Sequence, residues 1–148
     1  MSGLSRCESA RSVPLDWHYY EATDRTRVVA AEIGQCFVGL TPTEKVMRQV
    51  ELRGRLADAA SGVLTRGKSL KQVRSQPDLW EIRWQFAGVP WRMYHAEPHS
   101  EPNLLLALKF HRKVVSGTQF SIGRKQNRQM AEAAQRYSSG QGYRWGIT

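Results

Sequence analysis

The strongest hydrophobic pattern in the chain is a strict alternation over Leu79–Phe86. The apolar positions recur with a period of two, at Trp80, Ile82, Trp84 and Phe86. This period predicts a β-strand with one buried face. Val89–Ala96 alternates in the same way after a two-residue Ala87-Gly88 turn. The two segments predict a β-hairpin in which Phe86 pairs with Val89, and that register places Arg83 opposite Arg92 on the polar face.

Two further strands are predicted on either side of the hairpin in the sequence. Asp16–Ala22 is short and aromatic, which is typical of an opening strand. Leu104–Phe110 is apolar on both faces, which indicates a strand covered on both sides. The sequence therefore predicts a sheet of about four strands.

Three helices are predicted around this sheet. Arg25–Val38 has the composition of a short helix closed by glycine. A threonine before a proline, with Glu44 three residues after Thr41, predicts a capped helix from Pro42 to about Ala60. Ser121 is expected to cap a last, basic helix over Ile122–Tyr137.

Together these elements predict one α+β domain at residues 15–137. We expect a mainly antiparallel sheet with the two N-terminal helices packed on it and the basic helix at the C-terminal end. Residues 1–14 are expected to form a flexible leader and residues 138–148 a flexible tail, in which Tyr143 and Trp145 could serve for docking.

The net charge of +9 lies entirely in the second half of the chain. Residues 1–64 carry eight basic and eight acidic side chains, whereas residues 65–148 carry fourteen basic and five acidic ones. The basic residues lie on and just after the predicted strands. This placement indicates a polyanion as partner, above all a nucleic acid.

Several function classes are not supported by the sequence. No apolar run reaches the length of a membrane span and the leader lacks a secretory pattern, so we expect a cytoplasmic protein that does not bind membranes. A glycine-rich phosphate loop, a nucleophile elbow and a metal-ligand spacing are missing, so no cofactor and no metal are expected. Cys7 and Cys36 are expected to be free thiols.

The placement of the basic residues is compatible with phosphate binding. Arginines opposite each other across two strands repel, and a phosphate bound between Arg83 and Arg92 would relieve this repulsion; solvated surface arginines are the alternative. Three more basic residues follow at the end of the next strand, Lys109, Arg112 and Lys113. The first turns of the last predicted helix carry three more basic residues, Arg124, Lys125 and Arg128. A bound anion would stabilise these charges near the helix N-terminus; simple surface charge is the alternative.

Carboxylates are scarce in this basic half, which disfavours a metal-dependent nuclease. An acid-poor site rich in arginine and lysine can bind a phosphodiester and stabilise charge on its phosphorus. If the substrate is RNA, its 2′-hydroxyl supplies the nucleophile. The chemistry favoured by the residues is therefore metal-free RNA cleavage.

Three motifs in order resemble the toxins of the RelE/ParE superfamily, and most closely its HigB-type branch, which includes phage proteins. The first is a Leu-x-Glu-Leu-Arg-like strand, here Leu79–Arg83. The second is an aromatic-Arg-x-aromatic strand, here Trp91–Tyr94, and the third is a strand end of the form Phe-x-Lys-Lys, here Phe110–Lys113. The resemblance spans about residues 16–137. It departs from the family pattern at Leu108, where a histidine is common.

The resemblance implies a RelE-like fold and a ribosome-dependent mRNA endonuclease that uses 2′-hydroxyl attack and no metal. Arg83 and Arg92 would bind and polarise the phosphate, and Tyr94 and His111 would stack on a base or transfer a proton. The implied partners are mRNA in the ribosomal A site and a cognate antitoxin, often a helix-turn-helix DNA-binding protein. Two alternatives remain open: a ParE-like inhibitor of DNA gyrase and a catalytically inactive phage scaffold.

Overall fold

The computed structural model describes residues 3–113 and 116–148. Its strands are β1 (Asp16–Tyr19), β2 (Leu70–Gln72), β3 (Leu79–Phe86), β4 (Val89–Ala96) and β5 (Leu104–Arg112). Its helices are α1 (Val28–Cys36), α2 (Pro42–Ser61) and α3 (Gln119–Gly140), with 3-10 turns at Arg6–Glu8 and Gln141–Gly146. No helix in these described ranges is both long enough and apolar enough to cross a membrane.

The strands form one sheet of order β1-β5-β4-β3-β2. Strands β2 to β5 are antiparallel neighbours, whereas β1 pairs with β5 in parallel. The α+β class is therefore confirmed, but the sheet is mixed and has five strands rather than about four. Strand β2 was not predicted because its three residues are too few to show a periodic pattern.

The β3–β4 hairpin has the register predicted from its alternation. Phe86 pairs with Val89, and Arg83 pairs with Arg92. Both turn residues have positive φ, 52° at Ala87 and 78° at Gly88, which suits the twist of a two-residue hairpin.

A β-bulge in the β4–β5 pairing decides which side chains of β5 reach the polar face of the sheet. Lys109 pairs with Tyr94, but the next partner of β4, His95, pairs with Ala107, so Leu108 is the extra residue. A shift of one residue moves the side chains that follow to the opposite face. Beyond the bulge, Lys109 and His111 therefore lie on the same face as Tyr94 and Arg92, their partners on β4.

The two faces of the sheet are covered by different helices. On the apolar face, Phe37 after α1 contacts Trp91 edge-on, and Trp91 stacks on Phe110 at 5.5 Å between ring centroids. Helix α2 begins as predicted, with the capping box of Thr41 and Glu44 present. Helix α3 packs against β5 and β4.

The start of α3 differs from the prediction. Ser121 lies inside its first turn, and the N-cap is Thr118, whose hydroxyl accepts a hydrogen bond from the Ser121 backbone N–H at 3.1 Å. The helix begins earlier than predicted because its first residues, Gln119 and Phe120, lie outside the apolar spacing that indicates α3 in the sequence.

Both chain ends pack against the domain, although we expected them to be flexible. In the leader, Cys7 is fully buried, and the Arg6 guanidinium donates hydrogen bonds to three backbone carbonyls: those of Pro98 and Glu101 before β5 and that of Leu104 at its first residue. In the tail, Trp145 is 2% exposed and stacks on Tyr137 of α3 at 5.6 Å. The core of the domain therefore includes residues from both ends.

Candidate functional site

Five side chains on the polar face of β3, β4 and β5 form what we call the polar cluster: Glu81, Arg83, Arg92, Tyr94 and His111. The strand register brings them together, because Glu81 lies opposite Tyr94, Arg83 opposite Arg92, and Arg92 opposite His111. The sequence predicted the last four of these as catalytic residues. The structure confirms that they are neighbours.

Glu81 is the centre of the cluster and was not predicted as a functional residue. Its carboxylate is 2% exposed, and its Oε1 lies 3.1 Å from Arg83 Nε and 3.4 Å from Arg92 Nε. One carboxylate thus offsets the repulsion between two guanidinium groups, and these three side chains together keep a charge of +1. A buried carboxylate between two cations is typical of both structural ion pairs and active sites.

The two arginines differ in their exposure to solvent. The Arg92 side chain is only 7% exposed, and its Nη1 donates to the Trp91 carbonyl oxygen at 2.9 Å. Burial lowers the pKa of Arg92, and the nearby charge of Glu81 opposes this shift. Arg83 keeps 29% of its side chain exposed, so it is the guanidinium that an incoming phosphate reaches first.

Tyr94 and His111 stack on each other, with ring centroids 5.4 Å apart and planes 21° apart. Tyr94 is fully buried, so in this conformation its ring cannot stack on an RNA base as we had predicted. Burial and the charge of Glu81 raise the pKa of Tyr94, which keeps the phenol protonated at neutral pH. Its hydroxyl has no hydrogen-bond partner among the described residues.

His111 is neutral at physiological pH. Burial lowers its pKa to about 4; the positive charges of Lys109 and Arg92 act in the same direction, and Glu32 of α1 opposes them. From α3, Lys125 lines the same small cleft as His111. With a pKa so far below 7 the ring is a poor general acid at neutral pH and only a weak base.

This shift predicts a loss of stability in acid. Because the folded state disfavours the imidazolium, protonation of the unfolded chain below its pKa of 6.5 favours unfolding, until the folded protein also binds the proton near pH 4. The free energy of unfolding should fall by about 3 kcal/mol between pH 7 and pH 4 through His111 alone. Urea unfolding at several pH values should show this component in the wild type and lack it in His111→Gln. Parallel pH profiles for the two proteins would contradict it.

Lys109 was predicted to contact RNA, but it belongs to a set of ion pairs. Its Nζ lies 2.6 Å from a Glu132 oxygen and 2.7 Å from a Glu32 oxygen. Glu32 also binds Arg136 of α3 and accepts a hydrogen bond from the Phe110 backbone N–H. These contacts join α1, β5 and α3 where β1 no longer covers the edge of β5. Lys109 is therefore a structural residue in this conformation.

The other residues predicted to bind RNA are divided between several surfaces. Arg112 pairs with Trp91, so it belongs to the opposite, apolar face of the sheet. Lys113 and Lys125 line the small cleft beside His111. Arg124 and Arg128 are exposed on α3. Arg112 is thus the only one of the six predicted cations on the other face, because Lys109 pairs with Tyr94 of the polar cluster and the remaining four lie near the cluster or on the helix that covers it.

A pocket of about 220 Å³ opens beside the cluster, between β2, the loop after it and α3. Glu81 reaches its wall from β3, and Asn127 does so from α3. Two exposed cations at the wall, Lys71 and Arg74, were missed by the sequence analysis. Their signal was weak, since the short strand and loop that carry them have no pattern of their own. We call this opening the basic pocket.

The polar cluster and the basic pocket together can bind an anion and move one proton. Arg83, Lys71 and Arg74 supply positive charge, and Glu81 supplies a carboxylate that can accept a proton. These groups suit a phosphodiester better than an uncharged ligand. Comparisons with known proteins found no matching family model, no similar curated protein and no similar solved structure.

Proposed function

We propose that this protein is the toxin of a type II toxin–antitoxin pair and that it cleaves mRNA on the ribosome. The observation that carries the proposal is Glu81, a buried carboxylate held between two arginines at the wall of an open basic pocket. This arrangement combines a proton acceptor with charges that bind phosphate. The three motifs that resemble RelE/ParE toxins lie on the strands that form it.

The cleavage step uses the 2′-hydroxyl of RNA as nucleophile. Glu81 accepts the proton of this hydroxyl, and the 2′-oxygen forms a bond to the adjacent phosphorus. The bond from phosphorus to the 5′-oxygen of the next nucleotide breaks, and water supplies a proton to that oxygen. The products are a 2′,3′-cyclic phosphate and a 5′-hydroxyl end. No metal and no covalent intermediate with the protein takes part.

The arginines stabilise the negative charge that accumulates on the phosphate during this step. Arg83 binds the non-bridging oxygens directly, because it is the more exposed of the two. Arg92 is buried and acts without touching the phosphate. It positions Glu81 and adds positive charge in a poorly solvated place, where charges interact more strongly. Tyr94 and His111, which stack on each other beside Glu81 and Arg92, help to hold these two side chains in place.

Exposed cations around the basic pocket would attract the RNA backbone. Lys71 and Arg74 at the pocket wall and Lys125 in the cleft beside His111 are all exposed, and such charges raise the rate and strength of binding in a salt-dependent way. The partner that restrains the toxin would be an antitoxin that covers this basic surface. The family resemblance favours a helix-turn-helix protein for that role.

Controlled expression in a bacterial host tests the proposal and separates it from its alternatives. Growth arrest with new transcript 5′ ends inside translated codons is the expected result. Arrest with a DNA-damage response and intact mRNA would instead indicate a gyrase inhibitor. Normal growth at verified expression would indicate an inactive scaffold and would overturn the proposal.

A further inference from the structure

A buried thiol, imidazole and carboxylate meet on the side of β4 opposite the polar cluster. They belong to Cys7 of the leader, His95 of β4 and Glu97 just after β4, and their ligand atoms lie within 4.8 Å of one another. Cys7 and His95 are fully buried and the Glu97 side chain is 9% exposed. We propose that these three residues bind one structural Zn²⁺ ion.

The distances between the three ligand atoms match the edges of a zinc tetrahedron. With ordinary zinc–ligand bond lengths, a tetrahedral site has edges of about 3.5 Å from sulfur to nitrogen or oxygen and about 3.3 Å from nitrogen to oxygen. Here Cys7 Sγ lies 3.5 Å from His95 Nε2 and 3.8 Å from Glu97 Oε2. His95 Nε2 lies 2.9 Å from Glu97 Oε2. An ion therefore fits among these atoms after shifts of a few tenths of an ångström.

Charge also favours zinc at this place. Zinc would take the place of the protons on the thiol and the imidazole, and the thiolate and carboxylate of the loaded site would carry two negative charges that the divalent cation neutralises almost out of contact with water. A ligand set of one sulfur, one nitrogen and one oxygen suits Zn²⁺ better than Ca²⁺ or Mg²⁺, which prefer oxygen ligands alone. Three protein ligands leave one tetrahedral position for a water molecule or for the hydroxyl of Ser5, which already hydrogen-bonds to Glu97.

The surroundings hold the ligands in place. The Arg6 backbone N–H donates to Glu97 Oε1 at 2.8 Å, which leaves Oε2 directed at Cys7 and His95. The Cys7 backbone N–H donates to Ser5 Oγ at 3.0 Å. In known metal sites, hydrogen bonds of this kind from surrounding groups to the ligand residues fix the orientation of the ligands. The ion would fasten the leader to the end of β4, the strand that carries Arg92 and Tyr94.

Metal analysis of the purified full-length chain tests the proposal. We expect one zinc per chain, and with Co²⁺ in its place the charge-transfer absorption of a cobalt–thiolate bond. Cys7→Ser should lose both signals. Cys36→Ser, which removes the chain's other cysteine, should keep them.

Two further measurements keep the result clear if Cys7→Ser folds poorly. In the wild type, added Zn²⁺ should raise the melting temperature and slow trypsin cleavage after Arg6 and Arg11, and a chelator should reverse both effects. Zn²⁺ should also protect the Cys7 thiol from alkylation. In the wild type this is one thiol of two, and in Cys36→Ser it is the only thiol. Absence of bound zinc together with unchanged melting, proteolysis and alkylation would overturn the proposal. None of these readouts depends on RNA cleavage, so they stand apart from the proposed function.

Discussion

Arg83→Ala is expected to reduce mRNA cleavage about 10²–10³-fold, the usual loss when one group that stabilises the developing charge is removed. Arg83 is the partly exposed guanidinium of the polar cluster and lies 3.1 Å from Glu81. Because its ion pair is partly exposed, the change should lower stability by about 1 kcal/mol or less. Primer extension on transcripts from a translating extract measures the cleavage.

A matched control separates the loss of this arginine from a loss of total charge. Arg53 is exposed on α2, away from the polar cluster, and Arg53→Ala removes the same single positive charge. This variant should cleave at close to the wild-type rate. Equal cleavage by Arg83→Ala and the wild type would contradict the role of Arg83, and an equal loss in both variants would indicate that only net charge matters.

Arg92 is a less suitable residue for the same test. Both partners of its ion pair with Glu81 are buried, with 7% and 2% of their side chains exposed, and breaking such a buried pair commonly costs about 3–5 kcal/mol. An inactive Arg92→Ala protein could therefore be an unfolded one. Arg83 reports on chemistry because the fold depends on it less.

The second large effect concerns the tail. Trp145→Ala should lower the free energy of unfolding by about 3–5 kcal/mol, since removal of a buried tryptophan leaves a large cavity. The side chain stacks on Tyr137 and donates from Nε1 to the Tyr137 carbonyl oxygen at 2.9 Å, and it lies against Gly140, where a Cβ atom would collide with the indole. For a chain of this size the melting temperature should fall by about 10 °C.

An exposed aromatic residue on α3, the helix against which Trp145 packs, provides the control. Phe120 at the start of α3 is 74% exposed, so Phe120→Ala should change the melting temperature little. Thermal unfolding followed by circular dichroism compares the three proteins. A melting temperature of Trp145→Ala within 2–3 °C of the wild type, roughly the effect of 1 kcal/mol, would show that the tail contributes little to the core.

The sheet was largely predictable because its signal is local. Alternation along β3 and β4 determined the strands, their turn and the pairing of Arg83 with Arg92, and the threonine–proline start of α2 was equally clear. The strand count was wrong because β2 contributes only three residues. The flexible ends were also mispredicted, since a single cysteine or tryptophan in a polar segment carries no period that would indicate burial.

The candidate site was predicted in part. The sequence named Arg83, Arg92, Tyr94 and His111, which one face of the sheet brings together. It did not assign Glu81 a role, because the sharing of one carboxylate by two arginines depends on side-chain geometry. The ion pairs of Lys109 likewise depend on α1 and α3, which are distant in sequence.

The hairpin, its register, the excess of positive charge on and after its strands and the scarcity of carboxylates there can all be read from neighbouring residues, because each is a local property of the chain. Which cations stay exposed to solvent, that Tyr94 is buried and that both chain ends belong to the core depend instead on the packing of distant segments. This packing alone brings Cys7 next to His95, 88 positions apart in the chain. Burial and long-range contacts arise from the packing of segments that are distant in the chain, so a pattern among neighbouring residues does not predict them.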